Sequence, residues 1–287
     1  MKVTALIFLL LFIPMNPIFA EVDFNDNKIM LDKLEIKQYS LPYMDGLFID
    51  EKKLTFLMDI LKEKIYKNPQ NASLDKNGEI VKGKPGVTID RDKFNVLFRK
   101  MFYSNSDMKL EVPKKLIYPR VDNALLEEIR AKELGSYVTY FKKSNLERSH
   151  NIALATEAIN NYVVFPGETF SFNEIVGERT KEKGYKRAPV IVKGELAEDI
   201  GGGICQVSST LFNAVDLKGI QIIERYEHSK RVPYVPPGRD ATVSWWGPDF
   251  VFKNIYNQPV LVRAKSDHGK MLVSIYSSED VEYFSGE

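Results

Sequence analysis

The sequence predicts an α+β protein: a small mixed module to about Arg120, then a larger module with a β-rich end. Three observations carry this. Segments with apolar residues at helical spacing are prominent in the first half. Strand candidates crowd the C-terminal end, from "IQIIERYE" to "KMLVSIYS". Between them, the only cysteine in 287 residues stands where three glycines give way to a helical pattern, "GGGICQVSSTLFNAV". No repeat or low-complexity tract interrupts this order.

The chain opens with Lys2, an apolar run from Ala5 to Ile13, prolines 14 and 17, and a small residue at Ala20. This pattern predicts a secretory signal peptide over residues 1–20, cleaved after Ala20. The run is too short to span a bilayer of about 30 Å comfortably, and no later segment approaches a membrane span. Residues 21–120 then form the first module and 121–287 the second. In the first, Asp50 caps a helix carrying Leu54, Leu57, Met58, Leu61 and Ile65. "ASLDKNGEIVKGKPGVTID" is extended, with turns at Asn77-Gly78 and Pro85-Gly86. "DKNGE" lacks the spaced acidic ligands of a calcium loop and is a simple turn. A second helix starts at Asp90 or Asp92, with Phe94, Leu97, Met101 and Phe102 on one face. "MKLEVPKKLIYPRV" is extended.

In the second module, "DNALLEEIRAKELG" predicts a capped helix that stops near Gly135. "SYVTYFKK" alternates like a strand. "SHNIALATEAINNY" is helical, with Ile152, Ala155, Ile159 and Tyr162 on one face. "PGETFSFNEIVG" turns and becomes extended, and "APVIVKGELAEDI" is a hairpin turning at Lys193-Gly194. After the cysteine helix come the strand candidates "IQIIERYE", "ATVSWW", "DFVFKN", "PVLVRAKS" and "KMLVSIYS". The last two are joined by a tight turn at Asp267-His268-Gly269.

Hydrophobic residues make up 44% of the chain, an ordinary globular share. Without Lys2, the 39 acidic residues are matched by an equal number of basic ones. That balance leaves no electrostatic footprint for nucleic acid or an anionic membrane. One cysteine, three scattered histidines and no H-E-x-x-H helix give no metal-ligand set, and no cofactor motif is present.

A lone cysteine in an exported chain has three explanations: an intermolecular link, a buried inert thiol, or a nucleophile. Val207, Leu211, Ala214 and Val215 form the core-facing stripe of its helix, and Gly219 is placed to end it. Cys205 therefore falls at or just before the first turn, where free N–H groups and the helix dipole favour a thiolate. Gly201, Gly202 and Gly203 either turn the chain sharply or let a substrate backbone approach the sulfur. The amides near Cys205 and Gln206 are placed to face an oxyanion. Ser208, Ser209 and Arg239 are further substrate-binding candidates.

A thiol nucleophile needs a proton acceptor and donor. His268 belongs to a turn and His150 to a helix start, both ordinary surface positions. His228, at the end of a predicted strand in polar company, is the candidate base. Asp240 is the first choice to orient it; a structural role beside Arg239 or a backbone amide is the alternative. Glu227, adjacent to His228, would face the other way on a strand.

The stretch from about Gly135 to Ser277 resembles the VanW domain. "PGETFSFN", "GGGICQVSSTLFNA", "RYEHS" and "YVPPGRDATV" stand in that family's order and spacing. The preceding segment, with "KPGVTIDRDKFNVLF" and "KLEVPKKLIYPRV", resembles more loosely the peptidoglycan-binding module often found upstream. "WWGP" at Trp245 to Pro248 departs from the smaller residues usual there. The resemblance implies a cysteine-bearing helix packed on a largely antiparallel sheet, secretion, and work on peptidoglycan stem peptides and possibly glycan. Some VanW-domain proteins are L,D-transpeptidases, with the motif cysteine at Cys205 as nucleophile and the motif histidine at His228. The implied product is a 3-3 crosslink, or D-alanine release if water is the acceptor. Tyr185, Tyr226, Tyr234, Trp245 and Trp246 are mostly core by default, with a sugar- or peptide-lining role as the alternative. Two other functions compete: a cysteine peptidase of stem peptides, and a non-catalytic wall-binding protein with an inert Cys205.

Overall fold

The computed structural model describes residues 28–44, 46–104, 109–192 and 195–283. The predicted signal peptide and the Lys193-Gly194 turn lie outside these residues. In chain order the elements are β1 (Met30–Leu31), α1 (Lys33–Lys37), α2 (Glu51–Ile65), β2 (Ser73–Leu74), β3 (Ile80–Val81), β4 (Gly86–Ile89), α3 (Arg91–Tyr103), β5 (Leu110–Glu111), β6 (Lys114–Ile117), α4 (Asn123–Ile129) and β7 (Lys132–Tyr140). They continue with α5 (Leu146–Ile159), β8 (Tyr162–Val164), β9 (Thr169–Ser171), α6 (Phe172–Val176), β10 (Arg187–Val192), β11 (Glu195–Ile200), α7 (Ile204–Val215), β12 (Ile220–Glu224), β13 (Val251–Asn254), β14 (Val260–Asp267) and β15 (Lys270–Ser277). Every strand pair is antiparallel, and the class is α+β.

The chain forms two compact units. One comprises the residues up to Pro69 together with Pro85–Tyr118; the other comprises Gln70–Lys84 and Pro119–Glu287. In the first unit, Asp50 and Asp90 cap α2 and α3 by accepting backbone N–H bonds at the helix start. Leu54, Leu57, Leu61 and Ile65 of α2 and Phe94, Phe98, Met101 and Phe102 of α3 share one core. Each such side chain contributes about 1.5–3 kcal/mol on burial. Phe98, not the expected Leu97, completes the α3 face; Leu97 is 39% exposed. The two pairs β1–β5 and β4–β6 close this unit.

The second unit holds a four-stranded sheet in the order β7-β15-β14-β8 and a three-stranded sheet in the order β12-β13-β9. The β14–β15 hairpin turns at His268 and Gly269, both at positive φ (51° and 82°), the backbone a two-residue hairpin loop requires. Asp75 accepts the amides of Asn77 and Glu79 at 2.8 Å each, which makes "DKNGE" a side-chain-closed turn. Helix α7 packs on β7 and β15, and α5 packs on β14 and α7.

Several local expectations change once packing is seen. Helix α4 stops at Ile129, and Gly135 lies inside β7 opposite Ile275. A Cβ on Gly135 would stand 3.0 Å from the Ala214 carbonyl oxygen, so this glycine lets α7 approach the sheet. Similarly, α7 ends at Val215 with Asp216 as its C-cap, not at Gly219, whose missing side chain makes room for the Tyr256 ring. "SFNEIVG" begins as strand β9 but continues as the short helix α6, capped by Ser171. "ATVSWW" forms no strand. Its amides at Thr242 and Ser244 bond to Tyr226 and Pro248, which makes it a loop.

Candidate active site

The cysteine helix is not a surface helix with one apolar stripe. From Ile204 to Val215 every residue except Cys205 is buried. Its polar side chains are therefore satisfied internally, as burial demands. Gln206 accepts from the Arg148 guanidinium at 2.8 Å and donates to Thr139 and the Tyr140 carbonyl. Ser208 donates to the Ala241 carbonyl at 2.5 Å. Ser209 donates to the Cys205 carbonyl at 2.6 Å and accepts the Ala241 amide at 2.9 Å. Asn213 bridges the carbonyls of Ser209 and Arg239 at 2.7 Å each. The polar side of α7 thus holds the loop from Arg225 to Pro248 in place.

The glycines set the approach to the helix. Gly201 and Gly203 have φ of +87° and +107°, the left-handed region that glycine tolerates. They turn the chain from β11 into α7. A Cβ on Gly202 would stand 2.5 Å from the Ala188 carbonyl oxygen, and one on Gly203 would stand 2.9 Å from the Arg148 side chain. The room at both residues is occupied by the protein itself. The amides of Ile204 and Gln206 donate to the carbonyls of Gly201 and Gly203, so the Gln206 N–H is directed into the turn.

Cys205 is the second residue of α7 and remains partly exposed. Its Sγ lies 3.4 Å from the Val243 carbonyl oxygen and 3.7 Å from Thr242 Oγ1. The His228 imidazole lies near enough to act on the sulfur electrostatically. Burial pushes the thiol pKa up, but the influence of His228, with the Val243 and Thr242 contacts, outweighs it, and the net shift is downward. For His228, burial pulls the pKa down, and the neighbouring Cys205 and the hydrogen-bonded Asp240 carry it above the ordinary histidine value.

His228 lies in the loop four residues beyond the end of β12. Asp240 Oδ2 accepts both the His228 amide and Nδ1–H at 2.6 Å. Burial pushes the Asp240 carboxyl up, but those His228 bonds hold it below the usual carboxylate range. With Nδ1 bound to the carboxylate, Nε2 is the ring nitrogen left for the sulfur. Glu227 instead accepts from Arg225 at 2.9 Å. Arg239 does not reach Asp240; it bonds Asn213 and Asp216 at 2.7 Å each, and it packs with Arg225 against the Phe212 ring.

The other histidines lie elsewhere: His150 Nε2 meets the Gly184 carbonyl oxygen at 2.9 Å, and His268 sits in the β14–β15 turn. Among the described residues no group of three or more His, Cys, Asp or Glu is placed to hold a metal ion. Nor is any helix there long and apolar enough to cross a membrane.

Of the five aromatics singled out by sequence, Tyr185 is core, whereas Tyr226, Trp245 and Trp246 are exposed, Trp246 by 88%. The tryptophans pack edge to face on the turn that follows Val243. Tyr234 is half-buried, and burial together with the Cys205 charge drives its phenol pKa upward. Sequence reasoning missed Thr242, Arg148 and Arg179. Nothing in their spacing ties them to Cys205; only folding brings them there.

The family described as VanW like protein matches residues 147–276. The chain is 54% identical to "Uncharacterized protein YoaR" of Bacillus subtilis (strain 168), over 85% of this chain and 80% of that one. It is 29% identical to "Vancomycin B-type resistance protein VanW" of Enterococcus faecalis (strain ATCC 700802 / V583), over 45% of this chain and 49% of that one. No solved structure matches.

Proposed function

The chain belongs to the VanW-like family, and from that premise we propose that it is an exported cysteine acyltransferase of the cell wall, an L,D-transpeptidase acting on peptidoglycan stem peptides. One observation carries the reading. Cys205, at the start of α7, lies within the electrostatic influence of a histidine whose Nδ1 is fixed by a buried carboxylate at 2.6 Å. This is the nucleophile–base–orienter arrangement of acyl-transfer sites.

The chemistry follows from the polarity of that line. The depressed thiol pKa and raised imidazole pKa favour a thiolate–imidazolium pair. The thiolate attacks the carbonyl carbon of the amide after the diamino-acid residue, and the carbonyl π pair moves to oxygen. The backbone N–H of Cys205 and the positive end of α7 face that oxyanion. Collapse breaks the C–N bond and leaves a thioester; imidazolium Nε2–H protonates the departing D-alanine amine. A side-chain amine from a second stem then attacks the thioester. His228 takes its proton, the C–S bond breaks, and a 3-3 crosslink and free thiolate result. Water in place of the amine makes the same cycle a carboxypeptidase. Asp240 keeps the ring in the tautomer that both halves need. In this reading Gln206, Ser208, Ser209 and Arg239 act through position, and the glycines set the turn. The first unit binds or spaces the wall polymer.

The test incubates the mature protein with tetrapeptide muropeptides and reads products by mass spectrometry. Loss of D-alanine with dimer formation supports transpeptidation, and loss without dimers supports the carboxypeptidase. Cleavage elsewhere in the stem would make it a peptidase. A Cys205→Ala protein that retains full activity would overturn the mechanism.

A further inference from the structure

Two arginines flank the glycine turn that leads into Cys205, and neither has a carboxylate within ion-pair distance among the described residues. Arg179 follows α6. Its stem covers Gly201, with Cβ 3.1 Å from where a Gly201 Cβ would stand. Its Nη2 donates to Asn173 Oδ1 at 2.7 Å and its guanidinium stands 5.8 Å from the Phe172 ring centroid, while its Nη1 is buried with no hydrogen-bond partner. Asn173 in turn donates to the Ser244 carbonyl at 3.0 Å, one residue beyond the carbonyl that meets the Cys205 sulfur. The guanidinium is therefore tied to the wall of the thiol site.

Arg148 approaches from the other side. Its stem lies over Gly203, and its Nη2 is held by Gln206, the residue after Cys205. The acid that acts electrostatically on Arg179, Asp249, is already engaged. It accepts from Ser171 and from the amides of Asn173 and Phe250 at 2.6, 2.9 and 2.7 Å. Burial lowers the pKa of both guanidiniums, and the charge of Cys205 opposes that fall in each, so both lie within its electrostatic reach.

A buried guanidinium nitrogen without an acceptor is costly, and such a group calls for an anion of matching geometry. We infer that Arg179, assisted by Arg148, binds a carboxylate of the acyl donor: the free α-carboxylate of the single residue beyond the scissile amide. Resting on Cys205 as nucleophile, this deepens the proposed function by naming what makes the site act at a chain end. That carboxylate stands about one residue spacing, ~3.5 Å, from the amide. A donor continuing past that residue, or capped as an amide, offers no charge there.

Two measurements on the mature protein test this. The first titrates N-acetyl-D-alanine and N-acetyl-D-alaninamide, read by NMR shifts, and needs no reactivity of the thiol. The acid should bind roughly 10-fold or more tighter than the amide, a difference of about 1.4 kcal/mol. Arg179→Gln should abolish the difference, and Arg179→Lys should restore it in part. The second compares alkylation of Cys205 by iodoacetate and iodoacetamide. Arg179→Gln should lower the ratio of the iodoacetate rate to the iodoacetamide rate several-fold, a ratio in which any general change in thiol acidity cancels. Equal binding of acid and amide, or a rate ratio unmoved by Arg179→Gln, overturns the inference. Failure of Cys205 to react with iodoacetamide, while acid binding persists, would instead overturn the nucleophile and leave the carboxylate site standing.

Discussion

Replacing Asp240 with asparagine keeps the outline of the side chain and removes its charge. Its Oδ2 accepts two hydrogen bonds at 2.6 Å, both from His228. The side chains of His228 and Asp240 are only 7% and 9% exposed, so water screens the pair little. With about 4 Å between charge centres and an effective dielectric near 20, an imidazolium–carboxylate pair is worth about 4 kcal/mol. A charge-assisted hydrogen bond by itself is worth about 1.5–3 kcal/mol. At 1.36 kcal/mol per pKa unit, losing the charge lowers the imidazole pKa by about one to three units. The sign then carries through to sulfur. Less imidazolium means less support for thiolate, so the thiol pKa rises. The assay is the rate of iodoacetamide alkylation of Cys205 against pH, read by intact mass. The alkylation midpoint of Asp240→Asn should move to higher pH by about a unit or more. A folded variant whose profile overlays that of the parent would refute the reasoning.

The wild-type pH profiles should differ between reactions. Alkylation needs only thiolate, so its rate should rise through the depressed Cys205 pKa and then level off. Donor cleavage also needs the imidazolium proton, so kcat/KM for D-alanine release should fall again above the raised His228 pKa; two identical curves would remove His228 as the acid. Gly202→Ala forces a methyl to 2.5 Å from the Ala188 backbone oxygen, so it should cost at least about 1–3 kcal/mol and lower the melting temperature by several degrees. An unchanged melting curve would mean the turn has room to spare. Trp246 is 88% exposed, and Trp246→Ala should leave stability within about 0.5 kcal/mol while weakening co-sedimentation with purified peptidoglycan. Equal sedimentation would take the tryptophan out of substrate binding.

Signals confined to a few neighbouring residues were legible. Asp50, Asp90 and Asp122 each cap the helix that follows, because a cap is a contact made two or three residues along. The His268-Gly269 hairpin is equally local. The sequence also put forward Cys205, His228 and Asp240: the cysteine for its uniqueness, the histidine because only three exist. Their convergence was not legible, since it depends on a loop pinned by Ser208, Ser209 and Asn213 from the far side of α7. The same hidden contacts explain the misplaced elements. "ATVSWW" has strand composition, yet its amides bond within the loop region and never form a ladder. Gly135 and Gly219 resemble stop signals, but each is small because another element presses against it. Arg148 and Arg179 carry no motif because what they share is proximity to one turn.

Helix α7 has one further consequence. The groups that make residue 205 acidic hang from a loop whose anchors are hydroxyls and an amide on that same interior helix. A nascent or half-assembled chain therefore carries an ordinary, sluggish sulfhydryl. Acidity appears only when the interior closes, so the reactivity of this one sulfur reports whether helix and loop have docked.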